Sequence, residues 1–149
     1  MIIWLGLAFM FFAIDRITKY YALYYFMAQD YVFTSFFNGT YLLNTGVSFG
    51  LLSSDNTVYF WMLTISICFI NYFLLTYWFK TNHNINFLSV GLFLINTGSL
   101  SNIVDRVAYA GVVDWIDIHY HEYSFPVFNF ADVYIFLGAL LTLYTYIKE

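Results

Sequence analysis

The sequence predicts a membrane α-helical protein with four transmembrane helices and a small extracytoplasmic β-sheet or hairpin element. Three observations predict this fold class. Of the 149 residues, 62% are hydrophobic and only 9% are charged, whereas an average soluble domain has about 45–50% apolar and about 25% charged residues. Four apolar segments have about the 20-residue length that a transmembrane helix needs. Two β-prone stretches lie between these segments.

The four predicted spans form a single polytopic domain over residues 1–149. They cover about residues 1–27, 57–79, 85–104 and 130–147. The second span contains no charged residue, whereas the first contains Asp15, Arg16 and Lys19. A cleavable signal peptide has a basic first region and a small-residue cleavage site. The N-terminal segment has neither, so we expect it to be retained as a helix.

The predicted β element combines two stretches on the membrane side opposite the termini. Between the first two spans, YVFTSFF and TYLLN are joined by Asn38-Gly39, a dipeptide that suits a tight hairpin turn. Between the last two spans, VVDWIDIHY alternates like a strand. In a strand, Asp114 and Asp117 would face opposite sides. We therefore do not expect these two carboxylates to form a pair.

Charge restricts the possible functions and gives a weak signal for orientation. Five basic residues stand against nine acidic ones, so no basic patch exists for nucleic acid. Positive charges occur on both predicted sides of the membrane. If Asp15/Lys19 and Asp105/Arg106 belong to a site and do not determine topology, the remaining charges place both termini in the cytoplasm.

Two aspartates, Asp114 and Asp132, are the strongest candidate functional residues. They are 18 residues apart, separated by a loop with the only proline, Pro126. An acid at membrane depth is costly and is by default a functional-site candidate. Two carboxylates that share a site separate their pKa values and can divide acid and base roles. A structural role for the pair remains an alternative at this point.

Further polar residues recur at helical spacing near the same membrane side. Asp15 and Lys19 could form an ion pair, either in a site or as a structural pair whose lysine extends toward the lipid headgroups. The amides of Asn102 and Asn129 each share a helix face with a charged residue. The alternative for those two sets is a satisfied polar cluster at a helix end. Their common location favours one shared site.

The segment NTGVSFG, from Asn44 to Gly50, offers an amide side chain beside glycines. An asparagine can donate to and accept from a peptide backbone, and glycine allows a close approach. A plain turn is the alternative interpretation. No metal and no cofactor are expected, because the three histidines form neither an HExxH motif nor a Cys/His cluster. The single cysteine, Cys68, excludes an intrachain disulfide.

The ordered motifs DRITK, NTGVSFG, NTGSLSNIVDR, VVDW and FNFAD, between residues 15 and about 135, resemble those of lipoprotein signal peptidase, also called signal peptidase II. The resemblance implies a multi-pass enzyme of the bacterial cytoplasmic (inner) membrane. Such an enzyme has its active site toward the extracytoplasmic side. It removes signal peptides by cleaving before a diacylglyceryl-modified cysteine. The implied partners are the prolipoprotein substrate and membrane lipid, and we expect a monomer.

By the same resemblance, Asp114 and Asp132 form the catalytic dyad of an aspartyl endopeptidase and activate water. The resemblance implies that eight further positions bind substrate: Asp15, Lys19, Asn44, Gly46, Gly98, Asn102, Arg106 and Asn129. Arg106 could hold a lipid phosphate, a peptide carbonyl or Asp105. The family usually has glycine where this chain has Thr97 and Ser101, and a longer segment before the first motif. The two replaced glycines bear on helix packing around the third span.

Two other classes of function are compatible with part of the sequence. A small transporter or proton-relay subunit would line a pathway with intramembrane charges, and it would spread acidic residues through the bilayer depth. The acids here cluster at one side, which favours the peptidase. A structural or assembly protein would explain the apolar helices, but not the ordered motifs that combine amides with acids.

Overall fold

The computed structural model describes residues 1–47, 50–81 and 85–148, so Ser48 and Phe49 of the NTGVSFG segment lie outside the described residues. Four long helices alternate with the strands of one small sheet. The helices are α1 (Ile2–Tyr21), α2 (Thr57–Lys80), α3 (Phe87–Tyr109) and α4 (Phe130–Lys148). The strands are β1 (Tyr31–Thr34), β2 (Phe37–Asn44), β3 (Val112–Tyr120) and β4 (Tyr123–Ser124). A short π-helical segment, Ala22–Phe26, extends α1 toward the sheet.

The predicted four-helix membrane architecture is confirmed. Among the described residues, α2, α3 and α4 are long and apolar enough to cross a membrane, with mean hydropathies of 1.9, 1.5 and 1.6. The helix α1 is 20 residues long and carries the charged residues Asp15, Arg16 and Lys19 near its C-terminal end. The sheet follows the C-terminal ends of α1 and α3 and precedes α2 and α4. Both chain termini therefore lie at the opposite end of the bundle.

The helix α3 occupies the centre of the bundle. Of its most apolar 18-residue window, 44% is buried, against 17% for both α2 and α4. Its backbone lies very close to that of α4: a Cβ atom added to Gly138 would lie 2.5 Å from the carbonyl oxygen of Gly91. A Cβ atom at Gly98 would lie 2.5 Å from the carbonyl oxygen of Ala131. Small residues allow this close helix packing inside a membrane.

The sheet has four antiparallel strands in the order β1-β2-β3-β4. The two β-prone stretches therefore form one sheet, as the sequence predicts. The position predicted for the first hairpin turn is wrong. Thr34 pairs with Phe37, so residues 35 and 36 form the turn, and Asn38 and Gly39 lie within β2.

Packing around Gly39 explains this displacement. A Cβ atom there would lie 2.6 Å from the ring of Phe26 and 2.9 Å from the ring of Phe33. The glycine is thus needed because two aromatic rings cover the strand, and not because the backbone turns. Phe26 also packs on a buried cluster beside the sheet that consists of Ala22, Val113, Trp115 and Ile116. Tertiary packing has overridden the local turn preference of Asn-Gly.

Candidate functional site

Nine of the ten predicted site residues lie in one continuous hydrogen-bonded network between the sheet and the helix ends. They are Asp15, Lys19, Asn44, Gly46, Asn102, Arg106, Asp114, Asn129 and Asp132. The tenth, Gly98, lies apart from this network, against the backbone of α4. Its position allows α3 and α4 to pack closely and so fixes where the start of α4 lies.

Asp114 lies on β3 and is fully buried, with 1% of its surface exposed. Its Oδ1 atom accepts a hydrogen bond of 2.6 Å from Asn129 Nδ2, and its Oδ2 atom accepts one of 3.0 Å from Asn44 Nδ2. Burial, together with the charge of Asp132, raises the pKa of Asp114 from its ordinary value of 3.8 to about 7. The two amide donors lower this pKa, but burial outweighs them.

Asp117, three residues further along β3, has entirely different partners. It accepts hydrogen bonds from Asn38 Nδ2 at 3.2 Å and from Ser124 Oγ at 3.3 Å. This separation of Asp114 from Asp117 follows from strand alternation.

Asp132 lies in the first turn of α4, in a capping box. The side-chain oxygen of Asn129 accepts from the backbone N–H of Asp132 at 2.9 Å, and Asp132 Oδ2 accepts from the backbone N–H of Asn129 at 3.2 Å. Asp132 Oδ1 accepts a third hydrogen bond, of 3.0 Å, from Asn102 Nδ2. Asn129 therefore touches both aspartates and joins the strand β3 to the start of α4.

Lys19 supports this arrangement from α1. Its ammonium group lies 2.9 Å from Asp15 Oδ2, 2.8 Å from Asp105 Oδ2 and 2.7 Å from Asn102 Oδ1. Three acceptors satisfy the three donors of a lysine. The side chain is completely buried, so it does not extend toward lipid headgroups, which was the alternative that the sequence left open.

The two carboxylates that bind Lys19 also hold the backbone beside each candidate aspartate. Asp15 Oδ1 accepts from the backbone N–H of Ala131 at 2.9 Å, next to Asp132. Asp105 Oδ2 accepts from the backbone N–H of Val113 at 3.2 Å, next to Asp114. The ion cluster therefore fixes the positions of both aspartates relative to each other.

Arg106 binds the chain itself. Its guanidinium donates to the carbonyl oxygens of Gly46 and Thr45, and it lies 5.5 Å from the centre of the Phe60 ring. Of the three partners considered from the sequence, the structure shows peptide carbonyls. Asp105 instead pairs with Arg16 and Lys19. Arg106 thereby holds the loop after Asn44 against α3.

Sequence reasoning left three members of the cluster out of its set of site residues: Arg16, Ser101 and Asp105. Arg16 and Asp105 are next in sequence to Asp15 and Arg106, which were predicted members of the site. The helical spacing of Asn102 and Asp105 could have indicated Asp105 as a further member. Ser101 belongs to none of the amide or charge pairs that the helical spacing picks out, so the sequence did not indicate it. Its hydroxyl donates a hydrogen bond of 2.6 Å to Asp15 Oδ2.

We expect Ser101→Ala to destabilise the protein by about 1.5–3 kcal/mol, because a hydrogen bond to a buried carboxylate is lost. Thr97→Val is the matched control, since Thr97 is also buried in α3 but faces the apolar cavity beside Trp4. Thermal unfolding in detergent measures both effects. Equal stability of the two variants would contradict a role for Ser101 in holding Asp15.

A cavity of about 230 Å³ opens next to the cluster, between α2, α3 and α4. Asp132 lines it directly, with Asn44, Gly46, Asn102 and Arg106 near the sheet. Asp114 does not line this cavity and is joined to it through Asn44. The remaining wall is mostly aliphatic, so the cavity presents a polar end at Asp132 and an apolar end deeper in the bundle.

Comparisons with known proteins identify the family of this chain. The lipoprotein signal peptidase of Burkholderia cenocepacia is 34% identical over 154 residues, covering 98% of this chain and 88% of that protein. The lipoprotein signal peptidase of Clostridium tetani is 36% identical over 139 residues, covering 91% and 86% respectively.

A solved structure and a family model also match this chain over nearly its whole length. A solved bacterial membrane enzyme structure matches with a TM-score of 0.77 and 30% identity, covering 98% of this chain and 93% of that chain. The family model described as signal peptidase (SPase) II matches residues 7–148. The chain therefore belongs to the signal peptidase II family of proteases.

Proposed function

We propose that this protein is an aspartyl endopeptidase that removes signal peptides from bacterial prolipoproteins, cleaving before the diacylglyceryl-modified cysteine. The observation that carries the proposal is that one residue, Asn129, donates to both carboxylates: its side-chain Nδ2 group to Asp114 and its backbone N–H to Asp132. Two carboxylates held by the same residue beside a cavity can divide the acid and base roles of peptide hydrolysis.

Charge balance supports one shared proton on this dyad. The cluster contains three cations and four carboxylates: Arg16, Lys19 and Arg106 against Asp15, Asp105, Asp114 and Asp132. Five of these seven residues are at most 2% exposed. An uncompensated charge at such a site is costly. One proton on the dyad makes the cluster neutral.

We assign the resting proton to Asp114 and the negative charge to Asp132. The raised pKa of Asp114, about 7, allows this group to hold the shared proton up to about neutral pH. Asp132 lies in the first turn of α4, where the helix dipole favours an anion, and its carboxylate accepts from Asn129 N–H and Asn102 Nδ2. Asp132 also lines the cavity, where it can contact water.

In the proposed reaction, Asp132 takes a proton from water as the water oxygen attacks the scissile carbonyl carbon. Asp114 transfers its proton to the carbonyl oxygen, which gives a neutral tetrahedral gem-diol. In its collapse, Asp114 takes a proton back from a hydroxyl group and Asp132 protonates the leaving amine. The C–N bond breaks, and the dyad returns to its starting protonation state. The pair titrates as a coupled unit.

Substrate has to displace one contact of the resting site before this reaction. Asn44 donates to Asp114, to the carbonyl of Val47 and accepts from the N–H of Gly46. A peptide backbone entering the cavity offers the same donor and acceptor groups. We propose that Asn44 turns from Asp114 to the substrate backbone and thereby opens Asp114 to the scissile carbonyl.

We further propose an orientation in the cytoplasmic (inner) membrane, with cytoplasmic termini and the active site toward the extracytoplasmic side. A prolipoprotein with its lipid would enter laterally from the bilayer, because large apolar side chains are exposed along the helices. The complete site lies within one chain, which is consistent with a monomer.

The pH dependence of cleavage tests the proposal that Asp114 holds the proton in the resting site. Above the pKa of Asp114, about 7, the acid is lost, so we expect kcat/KM to fall about tenfold per pH unit. The measurement uses a lipidated peptide in detergent between about pH 5 and 9.

A chelator should leave the rate unchanged, because the carboxylate oxygens of Asp114 and Asp132 already accept hydrogen bonds from N–H donors. A rate that rises steadily above pH 8, or loss of activity with the chelator, would contradict the mechanism.

A further inference from the structure

One buried polar group beside the cavity has no role in the network described above. Asn71 lies in the second half of α2, whose only charged residue is Lys80 at its end. Its side chain is only 8% exposed, and its Nδ2 group has no hydrogen-bond partner among the described residues. An unsatisfied buried donor costs free energy, so a position that keeps one in an apolar helix points to a ligand.

Asn71 lines the same cavity as Asp132 but at its apolar end. Along α3 the cavity extends from Arg106 to Ile95, a distance of about 16 Å at 1.5 Å per residue. Because α2 runs antiparallel to α3, Asn71 lies at the depth of Ile95 rather than that of Arg106. Its other neighbours on α2 in the cavity wall are Ile67, Ile70 and Leu74. Asn71 is thus a polar donor among aliphatic neighbours on the α2 side of the cavity, whose lining also includes Ser99 of α3.

An apolar substrate segment that enters this end needs an acceptor to satisfy the donor. Two parts of a lipidated signal peptide carry a carbonyl oxygen in apolar surroundings: the fatty acyl esters of the glyceryl group and the backbone of the hydrophobic peptide. The shared chemistry is a carbonyl oxygen that accepts from an amide N–H.

We propose that Asn71 is a specificity-determining residue that donates a hydrogen bond to a carbonyl oxygen of the bound substrate. The proposal rests on the proposed function, since it takes the cavity as the substrate site. It assigns a hydrogen-bonding requirement to the apolar end of that cavity, away from the dyad. Substrates without a carbonyl at this depth leave the donor unsatisfied and bind less tightly.

Asn96 supplies the competing explanation and also the matched control. Its Oδ1 atom is buried without a partner among the described residues, while its Nδ2 group donates to the carbonyl of Leu92 at 2.7 Å. Asn71 and Asn96 both line a second cavity of about 170 Å³, which Asp132 does not line. If the two side-chain amides hydrogen-bond to each other across that cavity, their role is structural. Replacing either asparagine will then have the same effect.

The test compares Asn71→Leu with Asn96→Leu, using cleavage of a lipidated peptide and thermal unfolding in detergent. We expect Asn71→Leu to raise KM about tenfold with little change in kcat, since loss of one hydrogen bond corresponds to about that factor in affinity. Asn96→Leu should leave KM within a factor of about two. Asn71→Ala provides a second truncation with the same expected rise in KM. An unchanged KM in Asn71→Leu, or an equal change in Asn71→Leu and Asn96→Leu, would overturn the proposal.

Two peptides distinguish the source of the carbonyl. If Asn71 contacts an acyl ester, a dialkyl ether lipid will bind wild type and Asn71→Leu equally. If it contacts the peptide backbone, Asn71→Leu will weaken the ester and ether forms by the same factor. Either result supports the donor role, and no effect on either form contradicts it.

A binding measurement separates this proposal from the catalytic one. The dissociation constant of a fluorescent lipopeptide is measured on Asp132→Asn and on Asp132→Asn/Asn71→Leu. A tenfold difference supports the role of Asn71 even if Asp132→Asn proves active and the dyad assignment fails. Equal binding overturns the role of Asn71 and leaves the dyad untouched.

Discussion

Asp114→Asn and Asp132→Asn are each expected to lower the rate of prolipoprotein cleavage by about 10²–10⁴-fold, the usual contribution of a positioned general acid or base. Asparagine keeps the size of the side chain and much of its hydrogen bonding, but it cannot exchange the required proton. Because both aspartates serve the same reaction in the proposed mechanism, the double variant should lose little more than either single variant. The measurement is turnover of a diacylglyceryl-modified prolipoprotein in detergent.

Asp117→Asn is the matched control for this experiment. Asp117 lies on the same strand as Asp114 but bonds to Asn38 and Ser124 instead of to the cluster. Its replacement should leave cleavage within a few-fold of wild type. The single variants, the double variant and the control are all checked for a native unfolding transition. Full activity in Asp114→Asn or Asp132→Asn, with the fold intact, would refute the dyad.

Lys19→Met is expected to cause the largest loss of stability, about 3–5 kcal/mol, since removing one partner of a buried ion cluster leaves the others uncompensated. The ammonium group contacts Asp15, Asp105 and Asn102 within 2.9 Å. Methionine fills a similar volume but leaves two buried carboxylates without this cation. Cleavage should fall as well, because Asp15 and Asp105 hold the backbone beside the dyad.

Lys80→Met controls for the loss of a lysine from a helix end. Lys80 is exposed at the end of α2 away from the sheet. We expect its replacement to change stability by less than about 1 kcal/mol. Denaturant or thermal unfolding in the same detergent measures both variants. If Lys19→Met unfolds at the same midpoint as Lys80→Met, the cluster does not stabilise the fold as argued.

The helices could be predicted from the sequence because hydropathy over 20 residues is a local property. The strand β3 could also be predicted, from its alternating pattern. The turn of the first hairpin could not be placed correctly, because Gly39 is required by its packing against the rings of Phe26 and Phe33. A glycine required for packing and one required for a turn look the same in a single sequence.

In the candidate site, too, contacts between residues close in sequence could be predicted, whereas contacts between distant residues could not. The pair Asp15–Lys19 is four residues apart, and helical spacing predicts it. The partners of Lys19 and Arg16 on α3 lie 83 to 89 residues away, where no spacing rule applies. The order of the motifs predicts that these residues lie in one region. It does not predict that Asp105 pairs with Lys19, or that Arg106 donates to the carbonyls of residues 45 and 46.

The contact between Asp15 and the backbone of Ala131 has a consequence for biosynthesis. These residues are 116 positions apart, so Asp15 emerges from the ribosome long before its partner. No nascent chain that lacks the last helix can complete the site, because Asp132 and the backbone that Asp15 holds arrive together at the start of α4. With the proposed dyad, proteolytic activity can therefore begin only after the start of α4 has joined the other helices, and a chain stalled earlier in synthesis is expected to be inactive toward other membrane proteins.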